Sequence, residues 1–391
     1  MAYSIKAVSS ISEIGQSCWD AAANPFLIDP DCGVPYDPFV SYHFLSALEE
    51  SGSAAATTGW APYHLMLEED GETRGVVPMY LKSHSQGEYV FDYNWADAFE
   101  RSGGRYYPKL QISVPFTPAT GRRILTPHSE KRDEYAEHLI SGVMQVAKQL
   151  EVSSVHVTFA TKDQYDQMGK LGFLQRTHQQ FHWLNNDYEC FDDFLGALSS
   201  KKRKNIRRER RGAIEHGVEI ERLTGADIQE QHWDAFYQFY VDTGNRKWGS
   251  PYLTREFFSL IGERMSEDLL LVMCKREGRY IAGAINFIGS DCLFGRNWGC
   301  LEHHPFLHFE VCYYQAIQFA IERGLKRVEA GAQGTHKLAR GYLATHTYSA
   351  HWIVNESFSE AVGNFLQQER SYIDEEIDYM EEHSPFKKSD S

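Results

Sequence analysis

The segments KLGFLQRTHQQFHWL (170–184) and KLARGYLATHTYSAHWI (337–353) share one pattern, from which the fold can be inferred. Each begins with Lys-Leu, passes through a Gly that is followed by an aromatic residue and Leu, and ends in a run that contains His-Trp. The alternation of polar and apolar residues predicts a β-strand in both. One match of this kind arises by chance between unrelated domains, so the flanking sequence must show whether it also repeats.

Three further features occur twice in the same order. They are an acidic-Gly turn between apolar runs (65–79 and 271–286), the motifs FDYNW (91–95) and FGRNW (294–298), and a helix followed by a short strand (135–159 and 311–332). Four repeated features in one order favour an internal duplication over the similarities that all α/β domains share. We therefore expect residues 60–184 and 266–353 to form similar sheets, with Asn94 equivalent to Asn297 and His182 equivalent to His351.

The duplication predicts two tandem domains of the α/β (α+β) class, residues 1–186 and 187–391. The order of helices and strands in each half resembles the GNAT acyltransferase fold. That resemblance implies a mixed, mostly antiparallel sheet that is flanked by helices and splays open in the middle, where the acyl donor lies. The first half also contains an insertion at 101–128, and an acidic helix capped by a serine is expected at 357–383.

Composition limits the class of protein. The chain has 391 residues, of which 39 are basic and 54 acidic, giving a net charge of −15, and 42% are hydrophobic. This composition indicates a globular protein and argues against a surface that binds nucleic acid everywhere. No apolar run approaches the ~18 residues of a membrane span, and the N-terminal segment lacks the pattern of a signal peptide. We therefore expect a cytoplasmic protein. The seven cysteines have no metal-binding spacing, so we expect reduced thiols and no metal site.

One basic segment contrasts with this acidic composition. Eight of the eleven residues from Lys201 to Arg211 are basic, and only Glu209 is acidic. Serines before the segment and Gly217 after it predict one helix at 200–216. On that helix a basic stripe is formed by Lys204, Arg207, Arg208 and Arg211, while the apolar residues expected to anchor the opposite face are Ile206, Ala213 and Ile214. Either the protein's own carboxylates neutralise the stripe, or it binds a phosphate-rich partner such as the acceptor stem of a tRNA.

Four stretches of the sequence resemble the FemABX aminoacyltransferases, which have two GNAT-like halves. These are LSSKKRKNIRRERR (198–211), DTGNRKWGSPYLTREFF (242–258), GRNWGCLEHHPFLHFEVCYYQAI (295–317) and EAGAQGTHKLARGY (329–342). The resemblance is to the FemAB-like branch found in many proteobacteria, which is linked to peptidoglycan biosynthesis and recognition. It implies that an amino acid is transferred from aminoacyl-tRNA, as co-substrate, to an amine of a small or muropeptide-like acceptor, with no tightly bound cofactor. The long helical arm of Gram-positive members has no counterpart between Ile214 and Ile228.

Two other functions remain open at this point. An acyl-CoA-dependent N-acetyltransferase would use acetyl-CoA, and this fold usually holds the pyrophosphate with a glycine loop. The segment HHPFLHFE (303–310) contains no glycine where that loop is expected. In the first half, Gly121 with Arg122 and Arg123 forms either a weak phosphate loop or a surface turn. The third reading is a non-catalytic protein that recognises cell-wall or other amino-sugar ligands.

Three residues are candidates for catalysis. In FemABX enzymes a Phe-Lys-x-x-Phe segment supplies a lysine to the reacting carbonyl, and here Lys337 occupies the lysine position. Its ammonium would stabilise an oxyanion, and since we expect this lysine to be only partly buried, Lys337→Ala should lower the rate and leave the melting temperature nearly unchanged. The alternative is a solvated lysine at the start of a helix. Glu329, on a strand, is a candidate general base or amine ligand, or else pairs with Arg296. Glu310 opens a helix, where a carboxylate is favoured in any case.

A larger set of residues is expected to bind substrate. It comprises Arg340, His336, Arg296, Asn297, Trp298, Lys247 and Trp248 in the second half, and Asp92 and Tyr93 in the first half. Arg340 shares a helical face with His336. We expect it either to bind a carboxylate or phosphate or to form a surface ion pair. Lys247 and Trp248 lie in a Gly- and Pro-bounded loop of the kind that covers active sites.

Overall fold

The structure, a computed structural model, describes residues 3–247, 251–331 and 334–387. The strands are β1 (Tyr3–Val8), β2 (Trp60–Pro62), β3 (His64–Glu69), β4 (Glu72–Val77), β5 (Met79–Lys82), β6 (Lys109–Ile112), β7 (Ser154–Ala160), β8 (Leu174–Leu184), β9 (Val218–Leu223), β10 (Leu269–Arg276), β11 (Arg279–Ile288), β12 (Cys292–Cys300), β13 (Arg327–Glu329) and β14 (Leu343–Ile353).

The helices are α1 (Gln16–Ala23), α2 (Tyr42–Glu50), α3 (Tyr93–Arg101), α4 (Arg132–Gln149), α5 (Lys162–Lys170), α6 (Phe191–Ala197), α7 (Ser200–Ala213), α8 (Glu230–Lys247), α9 (Arg255–Arg264), α10 (Leu307–Phe309), α11 (Gln315–Glu322) and α12 (Glu356–Glu382). A π-helical turn at Glu310–Tyr314 joins α10 to α11, and a 3₁₀ turn spans Thr335–Arg340. Within the described ranges, no helix is both long enough and apolar enough to cross a membrane.

The chain folds into two compact units that exchange strands. The first unit comprises the chain up to His178 together with His346–Asp374, and the second comprises Gln179–Thr345 and the chain from Glu375 onward. Most of β14, from the second half of the sequence, therefore belongs to the first unit. The end of β8, from the first half of the sequence, belongs to the second unit. The predicted boundary at residue 186 follows the sequence repeat and does not anticipate this exchange.

The first unit contains two sheets. One has the strand order β1-β3-β4, and the other has the order β2-β5-β6-β7-β14. Pro78 separates β4 from β5, as expected of a residue that cannot donate a ladder hydrogen bond. Of the neighbouring strands, β6 and β7 run parallel and the remaining pairs are antiparallel. Helix α4 packs against both sheets. Its Leu139 and Val143 are buried in one cluster with Leu67 of the first sheet and Val155 of the second.

The second unit has a single sheet with the order β8-β13-β12-β11-β10-β9. Here β12 and β13 are the parallel pair, and the other neighbours are antiparallel. Aromatic rings from α8 and α9 fill part of its core; Phe236 and Phe258, for example, meet edge to face at 5.5 Å. Both units thus combine a mostly antiparallel sheet with flanking helices, which confirms the predicted fold class.

The two acidic-Gly turns form the predicted hairpins. Asp70 and Gly71 connect β3 to β4, and Glu277 and Gly278 connect β10 to β11. All four residues have positive φ values, from 51° to 85°. Two consecutive positive φ values define the turn that matches the twist of a two-residue hairpin, and Gly adopts this conformation at little cost.

The strand order confirms the predicted equivalence of His182 and His351. The predicted equivalence of Asn94 and Asn297 is wrong. His351 on β14 lies opposite His156 on β7, and His182 on β8 lies opposite Glu329 on β13. Since β7 and β13 are each the parallel partner that follows a helix, the two His-Trp strands occupy equivalent places. Asn94 instead lies in helix α3, whereas the motif FGRNW lies in strand β12. A five-residue match misled the prediction because β6 is the strand that corresponds to β12.

Both helices predicted outside the repeats are present, with small differences. Helix α7 begins after Ser199 and ends at Ala213, three residues before the predicted His216, which has a φ of 69°. The C-terminal helix spans Glu356–Glu382. Its cap is Asn355, whose side-chain oxygen accepts the N–H of residue 358, so the predicted serine cap is wrong.

The insertion of the first half occupies the place where its sheet would open. After β6 the chain returns to β7, and the N–H of Gly121 donates to the carbonyl of Phe159 at 3.0 Å. Arg122 and Arg123 turn inward and donate to backbone carbonyls, including those of Thr126 and Thr158. This segment is therefore neither a phosphate loop nor a solvated turn, because both guanidinium groups are used to satisfy buried backbone.

Ionisable groups are buried in the core of the first unit. The ammonium of Lys109 donates to Glu88 at 2.7 Å and to Asp92. Nearby, Nδ1 of His156 lies 2.7 Å from Nδ1 of His351. Burial lowers the pKa of His156 to about 3 and holds the pKa of His351 well below its ordinary range. Both rings are therefore neutral at pH 7.

We predict that His156 makes the protein sensitive to acid. Below the ordinary histidine pKa of about 6.5, the unfolded chain binds a proton that the folded chain rejects down to about pH 3. The free energy of unfolding contributed by this group is complete above pH 6.5 and falls with pH by roughly 1.4 kcal/mol per unit. Urea unfolding between pH 7 and pH 4 should therefore show a steeper loss for the native sequence than for His156→Gln.

The control is His138→Gln, which removes a histidine whose side chain is 42% exposed in the same unit. Its pH dependence should match that of the native sequence. Parallel curves for the native sequence and His156→Gln would contradict the assignment of a low pKa to His156.

Candidate active site

Strands β12 and β13 part in the second unit. They pair only where Cys292–Phe294 lies opposite Arg327–Glu329, yet β12 continues to Cys300. After β13 the chain turns away through Gly331, which has a φ of 78°. Beyond the last pair of residues, the backbone groups of the two strands no longer bond to each other. This is the opening that the predicted splayed sheet requires.

Three predicted substrate-binding residues lie on β12 beyond this point. Between Gly295 and Trp298 the strand β12 has two residues, Arg296 and Asn297, where its partner β11 has one, and these two residues form a β-bulge. Bulges redirect side chains and are common beside active sites. The ring of Trp298 meets His308 edge to face at 5.4 Å, and all three predicted side chains are half-buried.

Lys337 lies in the 3₁₀ turn Thr335–Arg340. Gly334 and Gly341 flank this turn with φ values of 107° and 89°, which residues with a Cβ rarely adopt. A Cβ at Gly341 would also lie 2.7 Å from the ring of Phe194. The turn is therefore specified by backbone conformations that only glycine supplies easily.

The ammonium of Lys337 is held against the parted strand. Its Nζ donates to the carbonyl of Ala330 at 2.6 Å and to that of Gly331 at 2.8 Å. Lys337 is 3% exposed, so the expectation of a partly buried lysine is wrong. Burial lowers its pKa to about 8. The third N–H of the ammonium has no acceptor among the residues that the structure describes.

Glu329 ends β13 immediately before these carbonyls. It is 3% exposed, its Oε1 accepts from Arg327 Nε at 3.3 Å, and its Oε2 lies 3.8 Å from His182 Nε2. The sequence did not predict this ion pair with Arg327 of the same strand. The pair with Arg296 stays a prediction. The guanidinium of Arg327 offsets the cost of removing this carboxylate from water.

Arg340 is buried in an ion pair. Its Nη2 and Nε donate to the two oxygens of Glu209 at 2.9 and 3.1 Å, and its guanidinium lies 3.4 Å from the ring centre of Phe309. Tyr314 donates its hydroxyl to Glu209 as well. Neither predicted role fits: the guanidinium is engaged rather than open to a ligand, and the pair is internal rather than on the surface. His336, by contrast, is exposed and lies 3.0 Å from the hydroxyl of Tyr313.

Glu310 anchors the basic helix. Arg210 Nε lies 3.2 and 3.1 Å from its two oxygens, Arg210 Nη2 lies 3.1 Å from Oε1, and Gln315 also donates to Oε1, at 2.7 Å. Glu310 is 2% exposed and opens the π-helical turn, a geometry that is frequent at functional sites. Because these bonds occupy both oxygens, the geometry favours an anchoring role for Glu310 over the role of a base.

The predicted basic stripe of α7 faces outward. Its members, Lys204, Arg207, Arg208 and Arg211, are all exposed. Arg207 lies 3.1 Å from Asp192, and both of these side chains are largely exposed. In the described part of the chain, the other three have no carboxylate partner. Ile206 and Ala213 are buried as predicted, but Ile214 is 52% exposed and does not anchor the helix.

The candidates from the first half fall at a different place. Asp92 is 2% exposed and accepts from Lys109 and Tyr106, so its carboxylate belongs to the buried cluster of the first unit. Tyr93 is 47% exposed and stacks on Phe91, with ring centres 5.9 Å apart. These contacts fit a structural carboxylate beside an exposed aromatic pair.

Two further candidates fall on the loop after α8. Trp248 lies outside the described residues, and so does the side chain of Lys247, whose backbone ends α8. Across the described part of the chain, no three His, Cys, Asp or Glu side chains form a group able to hold a metal ion.

Sequence reasoning missed Glu209, Arg210, Phe309 and Tyr314 as members of this site. Burial and long-range pairing, which single-sequence patterns do not encode, decide their roles. A signal for Glu209 was nonetheless available, since it is the one acidic residue in a run of basic residues. A lone carboxylate in such a run suggests an inward position with a cationic partner.

We predict that neighbouring arginines of α7 differ sharply in their contribution to stability. Arg210→Met leaves the buried Glu310 without its cation and should lower the free energy of unfolding by roughly 3 kcal/mol, the low end for a buried pair because Arg210 is a quarter exposed. Arg208→Met, at an exposed position, should change it by less than about 0.5 kcal/mol. Urea unfolding measures both, and equal effects would contradict the anchoring role of Arg210.

Known structures share this fold at low sequence identity. A crystal structure of FemX is 13% identical with a TM-score of 0.54, and the match covers 85% of this chain and 96% of FemX. L-PGS from Bacillus licheniformis is 11% identical with a TM-score of 0.51, over 85% of this chain and 98% of that chain. A conserved protein of unknown function from Bacteroides thetaiotaomicron VPI-5482 is 9% identical with a TM-score of 0.52, over 90% and 100% of the two chains.

No curated protein matches the sequence. Residues 10–388 match a family described as peptidoglycan biosynthesis/recognition. This match spans both units, including the parting of β12 and β13 and the basic helix. Together with the fold, it supports a transferase. The predicted family is confirmed, and the proteobacterial branch stays a prediction: the chain belongs to the FemAB-like family.

Proposed function

We propose that the protein is an N-acyltransferase that moves an aminoacyl group from aminoacyl-tRNA to an amine of a cell-wall precursor or a similar acceptor. The observation that carries the proposal is the buried ammonium of Lys337 at the parting of β12 and β13. A cation held in a site of low dielectric stabilises the negative charge that develops on a carbonyl oxygen under attack.

The reaction assigns a role to each part of the site. The acceptor amine attacks the ester carbonyl of the donor, a C–N bond forms, and the ester C–O bond then breaks to release the tRNA hydroxyl. The attacking nitrogen loses one proton, and the leaving oxygen gains one. Lys337 stabilises the oxyanion. Glu329, which directly precedes the carbonyls that Lys337 binds, binds the amine or takes its proton. The bulge residues Arg296 and Asn297 supply polar groups on the opposite strand.

The basic face of α7 supplies the donor site in this proposal. Lys204, Arg208 and Arg211 project from a helix of an otherwise acidic protein, so phosphates would be attracted to this face. An acyl-CoA donor is less well supported. The segment between β12 and α10, residues 301–306, contains no glycine and cannot offer the usual backbone cradle for a pyrophosphate.

A transfer assay tests the proposal directly. The purified protein is incubated with tRNA charged with a mixture of radiolabelled amino acids and with muropeptides that carry a free amine, and label in the peptide is measured by chromatography. A parallel reaction contains labelled acetyl-CoA. Label from tRNA supports the proposal, and label only from acetyl-CoA overturns it in favour of the N-acetyltransferase. Muropeptide binding without transfer from either donor would indicate a recognition protein.

We predict that activity is lost as pH rises through about 8. Lys337 must be protonated to stabilise an oxyanion, and its pKa is lowered to about 8 by burial. In kcat/KM profiles the alkaline limb should lie near this value for the native enzyme. In Lys337→Arg, whose guanidinium stays charged, residual activity should lack this limb. An unchanged alkaline limb in Lys337→Arg would assign the limb to another group.

We predict that donor binding weakens steeply with salt. Each phosphate neutralised should contribute a slope of roughly −0.7 to −0.9 in a plot of log affinity against log salt. The double variant Arg207→Glu/Arg208→Glu should flatten the slope and raise the KM for the donor. The matched control, Arg279→Glu/Lys326→Glu, makes the same change in net charge at exposed positions outside α7. Equal effects of both double variants would show that only net charge matters.

A further inference from the structure

Glu209 is the acidic exception in the basic segment, and it points inward. It is 8% exposed, whereas its neighbour Arg208 is exposed to solvent. Removing a carboxylate from water is costly unless cations and donors replace the water. Arg340 and Tyr314 do so here, and burial together with Glu209 raises the pKa of Tyr314, which keeps its hydroxyl protonated as a donor.

A short series of contacts leads from Glu209 to Lys337. Glu209 orients the guanidinium of Arg340 through both oxygens, and the ring of Phe309 supports its flat face. The remaining nitrogen, Nη1, donates to the carbonyl of His336 at 2.8 Å. Lys337 is the next residue in the chain. All three nitrogens of the guanidinium are thereby engaged, and the start of the lysine turn is fixed to α7.

We infer that Glu209 is a positioning residue, which holds Lys337 at the parting of β12 and β13 through Arg340 and the carbonyl of His336. Its value for catalysis rests on the proposed function, but the positioning is a property of the protein without substrate. Helix α7 then has two roles on two faces. Its outer face carries the phosphate-binding charges, and its inner face sets the place of the reactive lysine.

The simpler alternative is that the Glu209–Arg340 pair only docks the helix. The two accounts differ in what happens at Lys337. Docking alone predicts that loss of the pair lowers stability and leaves the surroundings of the lysine unchanged. Positioning predicts that Lys337 loses its hold on the carbonyls of Ala330 and Gly331 and gains solvent.

Titration of Lys337 by NMR distinguishes these accounts without any substrate. The full chain is labelled with ¹³C-lysine, and the Lys337 signal is identified by its loss in Lys337→Arg. In the native protein it should titrate near 8. In Glu209→Gln, which keeps the size of the side chain and removes its charge, the pKa should rise by about one unit or more toward the ordinary lysine value. A value that stays near 8 while stability falls overturns the inference.

The matched control is Glu230→Gln. Glu230 pairs with Arg255 at 2.7 Å elsewhere in the same unit, and its side chain is 66% exposed, so this variant breaks a more exposed ion pair away from the lysine turn. The pKa of Lys337 should be unchanged in it. An equal shift in Glu230→Gln would show that any loss of an ion pair loosens the site, and would also overturn the inference.

A double-mutant cycle shows whether Glu209 acts through Arg340. Glu209→Gln, Arg340→Met and the double variant should shift the pKa of Lys337 by the same amount, because all three break one connection. Shifts that add would contradict the inferred route. If Arg340→Met does not fold, Arg340→Lys, which keeps the charge and cannot bridge both partners, replaces it in the cycle.

Activity separates this inference from the proposed function. If transfer from aminoacyl-tRNA is detected, Glu209→Gln should lower kcat and leave the KM for the donor unchanged, unlike reversal of the outer charges. If no donor supports transfer but the NMR shift is present, the proposed function fails and the positioning role stands. A raised KM with an unchanged kcat would place Glu209 in donor binding and overturn the inference.

Discussion

The parting of β12 from β13 is the constraint on which the rest of the second unit depends. Where two strands separate, backbone carbonyls lose their ladder partners, and buried carbonyls without a donor are costly. The ammonium of Lys337 donates to the carbonyls of Ala330 and Gly331 and so satisfies this requirement. In the proposed function the same buried cation stabilises the oxyanion of the substrate. One side chain would then satisfy both the backbone and the reaction.

The two units, whose strand orders correspond, differ at this place. In the first unit the insertion returns to β7 through Gly121, and Arg122 and Arg123 close the corresponding space with backbone hydrogen bonds. The position equivalent to Glu329 is His156, which is neutral and pairs with His351. The second unit keeps the strands apart and carries the carboxylate. The first unit is thus held together here by hydrogen bonds, and the second unit carries the residues that we propose for acyl transfer.

The sequence predicted local features well and long-range ones poorly. The hairpin turns at Asp70–Gly71 and Glu277–Gly278, the basic helix and the His-Trp strands follow from patterns within a few residues. The equivalence of Asn94 and Asn297 failed because five letters do not distinguish a helix from a strand. The burial of Lys337 and the pairing of Arg340 with Glu209, 131 residues away, depend on tertiary contacts that alternation and spacing do not report. The exchange of terminal strands between the units has the same origin.

The central claim is that the charge of Lys337 accelerates the chemical step. Single-turnover transfer from prebound aminoacyl-tRNA measures this step apart from binding. Lys337→Gln keeps an N–H donor for the backbone carbonyls and removes the positive charge. The account predicts that the rate falls by about 10²-fold or more, with donor affinity unchanged. A single-turnover rate equal to that of the native enzyme, in a variant shown to be folded, would contradict it.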